Sequence, residues 1–185
     1  MYFVCERARR DVKVALIGQG PDELFAGYKR HLGVHYGTYW RRLPRGVRSV
    51  AEAAACRVSR SEALQRAVHS LGTEGRLERY RDVFSLLPGD RVDSLFRPDV
   101  LPHGAGNAIC DLWSDVRPEI DRADELGGFQ LLELRSSLPD ELLMYADKLS
   151  MVHGLEARVP YLDREIVDFA TSLPADMKIR FGQQK

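Results

Sequence analysis

The tightest constraint on this chain is the stretch Val14–Tyr28, VALIGQGPDELFAGY, where an apolar, β-compatible run breaks at a glycine pair and resumes as DELFAGY. This predicts a buried strand over residues 12–17, a turn, and a helix. Strand, loop and helix in that order suit an α/β sheet, and open α/β sheets place ligands beyond the carboxyl ends of their strands. Gly18-Gln19-Gly20 falls at that end, and glycine permits positive φ and close backbone approach. Pro21 suits the first helical position, so the amides of Asp22, Glu23 and Leu24 are expected to face an anion such as phosphate. Two acids beside phosphate repel it unless a hard cation such as Mg²⁺ sits between them. The same acids stabilise any first helical turn by about 0.3 to 1 kcal/mol against the macrodipole. On residues alone the two readings weigh equally.

Composition narrows the classes. The chain has 185 residues, 44% of them hydrophobic, which predicts one globular domain. Its 27 basic and 27 acidic residues cancel, giving no electrostatic footprint for nucleic acid or an anionic membrane, and no case for a basic partner. Cys5, Cys56 and Cys110 are far apart without a CxxC pair, which argues against a disulfide framework and a structural zinc site, and suits a reducing cytoplasm. No apolar run approaches the roughly 20 residues that span a bilayer, and the opening MYFVCERARR is charged too soon for a signal peptide. Structure begins almost at once, and MKIRFGQQK offers no stop signal, so both ends read as cuts through a larger fold.

Three zones follow. Residues 1–37 read as a helix end, the strand, the turn and a helix. Residues 38–125 carry apolar positions at helical spacing, Val47, Val50, Ala51 and Ala54 and then Leu64, Ala67, Val68 and Leu71, punctuated by Pro44, Gly72, Pro88, Pro98, Pro102, Gly104 and Gly106. They predict several short helices and no chemistry. Residues 126–174 predict helices framed by Phe129, Leu132, Leu138, Leu142, Leu143, Met144, Leu149 and Met151, divided by Pro139. Val159-Pro160 must leave helical geometry. Asp163 then suits an N-cap for a helix with Ile166, Val167, Phe169, Ala170 and Leu173 on one face, ending at Pro174.

The second block, SMVHGLEARVPYLD, says less by local physics. Glu156 and Arg158 stand two apart and share no helix face, so they are expected to reach different partners in a structural role. His153 lacks a second histidine at ligand spacing and reads as packed or solvated. Lys148, beside Asp147, reads as a solvated helix charge.

Together GQGPDELFAGY and DKLSMVHGLEARVPYLDREIVDFATSLP resemble the synthetase domain of glutamine-dependent asparagine synthetases, whose pattern is an SGEGADELFGGY-like loop and, later, an LPD…D(R/K)xSMxxxLExRxPFLD block. The resemblance implies a Rossmann-like ATP-pyrophosphatase fold of the adenine nucleotide α-hydrolase-like kind, this portion mostly helical with few parallel strands. It implies ATP and Mg²⁺ as cofactors, and adenylation of the aspartate side chain followed by attack of ammonia derived from glutamine. Carried over, Gly18 and Gly20 shape the loop beside the phosphates, Asp22 and Glu23 organise Mg²⁺-pyrophosphate as metal ligands, and Tyr28 lines the site. Asp140 and Glu141 in LPDELL are the nearest later carboxylates. With this support the metal reading of Asp22 and Glu23 is preferred, and capping can coexist with it.

The departures are specific. Ile17 stands where the family commonly has serine. Gln19 stands where it commonly has the glutamate proposed to accept the proton of attacking ammonia, and an amide is no general base. The first ATP loop, an SGGxDS-like segment, does not occur in these residues, nor does the glutaminase domain with its leading cysteine. The expectation is therefore a partial synthetase domain over residues 1–185, unable to complete the reaction by itself and prone to associate through exposed strand edges. Two alternatives stay open: a lactam- or amide-forming relative whose nucleophile is an amine, and a helical interaction module without activity.

Overall fold

The structure, a computed structural model, describes residues 1–58, 70–85, 87, 95, 97, 108–180 and 182. The packing divides the chain into two compact units, Met1–Leu32 with Leu126–Lys185, and Gly33–Glu125. The chain is mostly helical, with two parallel strands in one sheet, compatible with an α/β domain.

In the first unit, helix α1 (Tyr2–Ala8) leads to strand β1 (Val14–Leu16), and a single helical turn α2 (Pro21–Leu24) follows the glycine turn. Strand β1 is shorter than the expected 12–17, although the Lys13 carbonyl and the Ile17 amide still bond across to the neighbouring strand. That neighbour is β2 (Glu156–Arg158), parallel to β1 with Val14 opposite Glu156, Ala15 opposite Ala157 and Leu16 opposite Arg158. The expectation of a buried strand is corrected. Ala15 and Ala157 face inward, half-buried, while Val14 and Leu16 point outward, Leu16 with 72% of its surface exposed. Parallel strands are ordinarily covered on both faces, and among the described residues this sheet is covered on one.

Strand β2 was invisible in the sequence because its three residues, Glu-Ala-Arg, carry no apolar alternation. Its geometry overturns the expectation for Glu156 and Arg158. On a strand, residues two apart share a face, and the Arg158 Nε donates to Glu156 Oε1 at 2.8 Å. The pair is exposed and contributes at most about 1 kcal/mol.

Helix α3 runs Lys29–Arg41 and α4 runs Arg45–Val58. The second unit holds α5 (Arg76–Phe84), α6 (Ala108–Leu112) and α7 (Arg117–Arg122); α5 supplies the buried Leu77 and Tyr80 and α7 the buried Ile120, joined by Trp113 and Val116. The predicted helix around Val47 and Val50 exists, but both valines are exposed. Leu64, Ala67, Val68, Pro88, Pro98, Pro102, Gly104 and Gly106 lie outside the described residues. The polar centre of this unit is Glu125, whose carboxylate takes Arg79 Nη2 at 2.8 Å and Arg41 Nη2 at 3.2 Å, with Arg76 Nε at 3.7 Å. The Tyr80 hydroxyl donates to the Glu125 carbonyl at 2.8 Å. Burial, joined by the Glu125 charge, pushes the Tyr80 phenol well above the usual range, and burial lowers the Arg41 guanidinium.

Helix α8 (Glu125–Arg135) ends before Pro139, as expected, and a π-helical segment Leu138–Leu143 runs directly into α9 (Met144–Met151). Its widened turn shows in the Met144 amide, which reaches back to the Pro139 carbonyl. Val159 is non-helical ahead of Pro160, which opens a 3₁₀ turn, Pro160–Leu162. Asp163 caps α10 (Arg164–Ser172) by accepting the Glu165 amide at 3.0 Å. Of the predicted apolar face of α10, Ala170 is buried, Ile166, Val167 and Leu173 are half-buried, and Phe169 is exposed. The last turn, α11 (Ala175–Lys178), places Ile179 in a core cluster with Ala26 and Leu126, against which Leu32 and Ala175 pack.

Candidate functional site

The two sequence blocks meet in the first unit. The strands carry the chain to the glycine turn, and the 3₁₀ turn returns beside it. Gly20 sits at φ +103°, and a Cβ there would overlap the Leu162 side chain, lying 2.8 Å from its Cγ and closer still to Cδ2. Positive φ and the approach of Leu162 both require glycine. Gly18 differs: a Cβ there meets nothing within 4 Å, so it is the space in front of it, open and exposed, that a ligand could use. Gln19 between them is half-buried.

Pro21 occupies the first position of α2, as expected. The predicted continuous helix DELFAGY is corrected to one turn, because Ala26 takes φ +60° and the Gly27 amide reaches back to the Asp22 carbonyl at 2.8 Å. The row of free amides is shortened too, since the Leu24 amide bonds to the Gly20 carbonyl at 3.1 Å. Non-glycine residues rarely adopt positive φ. Ala26 is held there while wholly buried in the core.

The two acids part company at this break. Asp22 is half-buried, and its carboxylate folds over Gly27, occupying the place a Cβ would take, with Cγ 2.7 Å from that position. Glu23 is buried, with 1% of its surface exposed. Its Oε1 accepts the Tyr28 hydroxyl at 2.7 Å. Burial, that hydrogen bond, and the charges of Glu23 and Asp22 push the Tyr28 phenol well above the usual range, partly countered by Arg30. The expected site residues Glu23 and Tyr28 are thus brought together. Asp140 and Glu141, on the π-helical segment, are exposed, and no hydrogen bond or ion pair joins them to Asp22, Glu23 or Tyr28 among the described residues.

Sequence reasoning missed the polar frame behind Tyr28. His31 and Glu133 are both wholly buried, with His31 Nε2 2.7 Å from Glu133 Oε2. The Tyr28 amide donates to His31 Nδ1 at 3.3 Å, which leaves the ring hydrogen on Nε2, directed at Glu133. Arg30 Nε donates to the other carboxylate oxygen at 2.6 Å, and its guanidinium lies 4.3 Å from the centroid of the Tyr28 ring. One turn earlier on α8, Gln130 Nε2 donates to the Glu23 carbonyl and, at 3.0 Å, to the Leu24 carbonyl. Gln130 Oε1 in turn accepts the buried Lys178 at 2.8 Å. The available signal was Gln130 and Glu133 three apart within the otherwise apolar FQLLEL.

His153 is half-buried with its ring edge-on to Tyr2 at 4.4 Å, and Lys148 is exposed, both in line with a structural role. Cys5 is buried and Cys110 half-buried, both free thiols, and burial raises the latter. Among the described residues no three His, Cys, Asp or Glu side chains converge as a metal site, and no helix is long and apolar enough to cross a membrane. Asp22 and Glu23 supply the kind of donor that Mg²⁺ takes, one or two carboxylates completed by water and substrate phosphates, although Asp22 folds over Gly27 while Glu23 is turned to Tyr28.

The family profile described as asparagine synthase matches residues 1–185. The chain is 26% identical over 186 residues to "Asparagine synthetase [glutamine-hydrolyzing] 1" of Bacillus subtilis (strain 168), covering 100% of this chain and 28% of that protein. It is 33% identical over 189 residues to a "Putative asparagine synthetase [glutamine-hydrolyzing]" of Mycobacterium bovis, covering 97% of this chain and 27% of that protein, and likewise to the Mycobacterium tuberculosis protein of that name. The chain thus spans little more than a quarter of the length of these curated relatives. No solved structure matches it. With the glycine turn, the DEL acids and the LEARVPYLD block on adjoining elements, and the profile matched from end to end, the chain belongs to the asparagine synthase family.

Proposed function

We propose that this chain is the pyrophosphate-side portion of an ATP-dependent amide-forming synthetase with the Rossmann-like ATP-pyrophosphatase fold, working in the cytoplasm. The observation that carries the reading is the Gly18–Glu23 turn at the carboxyl end of a parallel strand, with Glu23 buried and held by Tyr28. Strand ends of this kind are where α/β sheets bind ligands. A buried carboxylate whose side-chain donor is one neutral phenol also favours a nearby cation.

In the reaction that the family resemblance implies, an aspartate carboxylate oxygen would attack the α-phosphorus of ATP, and pyrophosphate would leave. Ammonia then forms the C–N bond as the bond to AMP breaks and a proton is lost. Asp22 and Glu23 would hold Mg²⁺, which supplies neutralisation of the pyrophosphate charge. Gly18 leaves room for backbone approach, and Gln19 can orient a reactant by hydrogen bonding but cannot take the proton. Asp140 and Glu141 are exposed on the π-helical segment and would act only if substrate reaches them. The adenosine-side loop and the ammonia-producing glutaminase are supplied from outside residues 1–185. Gln19 favours a second reading, in which an amine of the substrate replaces ammonia.

Calorimetric titration of the chain with pyrophosphate, with and without Mg²⁺, tests the reading beside Asp22→Asn and Glu23→Gln. The expected result is Mg²⁺-dependent binding weakened at least about ten-fold in each variant, the effect of losing one charged contact. Binding that ignores both the metal and the substitutions would overturn it.

A further inference from the structure

We propose that Glu133 is a positioning residue for the acidic turn, acting through His31, Arg30 and Tyr28 to hold the Glu23 carboxylate in place. The inference rests on the pyrophosphate-side reading above for its functional consequence, but not for its geometry.

The argument begins with what Tyr28 needs. Its hydroxyl holds Glu23 Oε1, yet its backbone follows the break at Ala26 and Gly27, where no regular helix fixes it. Two contacts, both anchored on one carboxylate, replace the helix. His31 Nδ1 takes the Tyr28 amide, Arg30 lies against the Tyr28 ring, and both residues end on the same carboxylate, Glu133, through different oxygens. Glu133 therefore sets the ring hydrogen of His31 on Nε2 and the direction of Arg30 at once. A carboxylate with both oxygens bonded to cationic or N–H donors holds far tighter geometry than a neutral acceptor.

Helix α8 makes the hold two-sided. Gln130, one turn from Glu133, grips the carbonyls of Glu23 and Leu24 from behind, and Lys178 fixes the amide orientation of Gln130. The acidic turn is thus pinned by its backbone through Gln130 and by its side chain through Tyr28. A frame that only stabilised the core would need neither branch to end on Glu23. Buried ionic groups of this kind add little net stability compared with apolar packing, so positional control is the better account of their presence.

The test compares the chain with Glu133→Gln, which keeps the shape and removes the charge. Two readouts are taken: the NMR signals of the Tyr28 ring, identified by their loss in Tyr28→Phe, and the Mg²⁺-dependent pyrophosphate affinity. The Tyr80 ring, in the other unit, is the internal control. The expected result is that Tyr28 signals move while those of Tyr80 stay, and that affinity falls about ten-fold. Unmoved Tyr28 signals in a folded variant would overturn the proposal. If the unaltered chain binds no pyrophosphate, the functional reading fails, and the Tyr28 signals still decide the positioning. If Glu133→Gln does not fold by circular dichroism, Arg30→Gln, whose side chain is 33% exposed, carries the same comparison with the same two outcomes.

Discussion

Replacing Gly20 by alanine probes the junction of the two sequence blocks, and its cost can be assembled from the structure. At φ +103° an L-residue is strained, typically by about 1 to 3 kcal/mol. The new Cβ would also lie 2.8 Å from Leu162 Cγ and overlap Cδ2, against an ordinary carbon separation of about 3.5 to 4 Å. Overpacking of that kind costs about 1 to 3 kcal/mol, reduced here because Leu162 is half-buried and its side chain can turn. Alanine's stiffer unfolded chain returns less than about 1 kcal/mol. The expected loss is about 3 kcal/mol. The second substitution, Leu162→Ala, removes the overlap but not the φ strain, so the double variant should be less destabilised than the two single losses together, by about 1 to 2 kcal/mol. Both tryptophans, Trp40 and Trp113, lie in the second unit, so their emission does not report on this site. Amide exchange in peptides covering Val14–Leu16 and Glu156–Arg158 does. A 3 kcal/mol loss would speed exchange there by about a hundred-fold if opening governs it. Exchange in Gly20→Ala equal to that of the unaltered chain would refute the strain argument, and strict additivity in the double variant would refute the role of Leu162.

Two further outcomes follow from buried groups. Glu125→Ala should destabilise the second unit by about 3 kcal/mol or more, because it strands Arg79, whose side chain is 8% exposed, and the loss should appear in the urea midpoint of tryptophan emission. An unchanged midpoint would mean that the carbonyls of Thr73, Glu74 and Gly75, to which Arg79 Nη1 donates at 2.8, 3.0 and 3.2 Å, suffice. Tyr28 and Tyr80 are both held above the usual tyrosine value of 10.0, so the stability they provide is complete below about pH 10 and is lost as pH rises through the raised values. Melting temperature should therefore fall above that pH, and less steeply in Tyr80→Phe. Parallel pH profiles would contradict this.

What was legible in the sequence is local. Pro21 at a first helical position, Asp163 as a cap, the break before Pro160 and the helix end before Pro139 each follow from one residue's backbone chemistry, and each is present. The break inside DELFAGY was not legible, because Ala26 at positive φ contradicts its own preference and is imposed by the core around it. Strand β2 escaped because three residues with charged ends resemble a loop until a partner appears. The Glu133 frame escaped for a deeper reason: Arg30 and Glu133 stand 103 residues apart, and pairing across that distance leaves no periodic trace. Gly18 and Gly20 looked alike in the sequence, yet Gly20 alone is compelled by conformation.

The parallel register of the sheet also bears on how the chain comes to be folded. Leu16 pairs with Arg158, and 158 − 16 places the partners 142 residues apart. At a synthesis rate of about 5 to 20 residues per second, β1 waits roughly 7 to 28 s for its partner strand to be made. Closing so long a loop is entropically slow as well. Throughout that interval Val14 and Leu16 have no β2 to pair with, and the Glu23 backbone carbonyl waits 107 residues for Gln130. The nascent chain therefore carries β1 through that interval without its partner β2, and a cell making it at high level should find it among the clients of its chaperones.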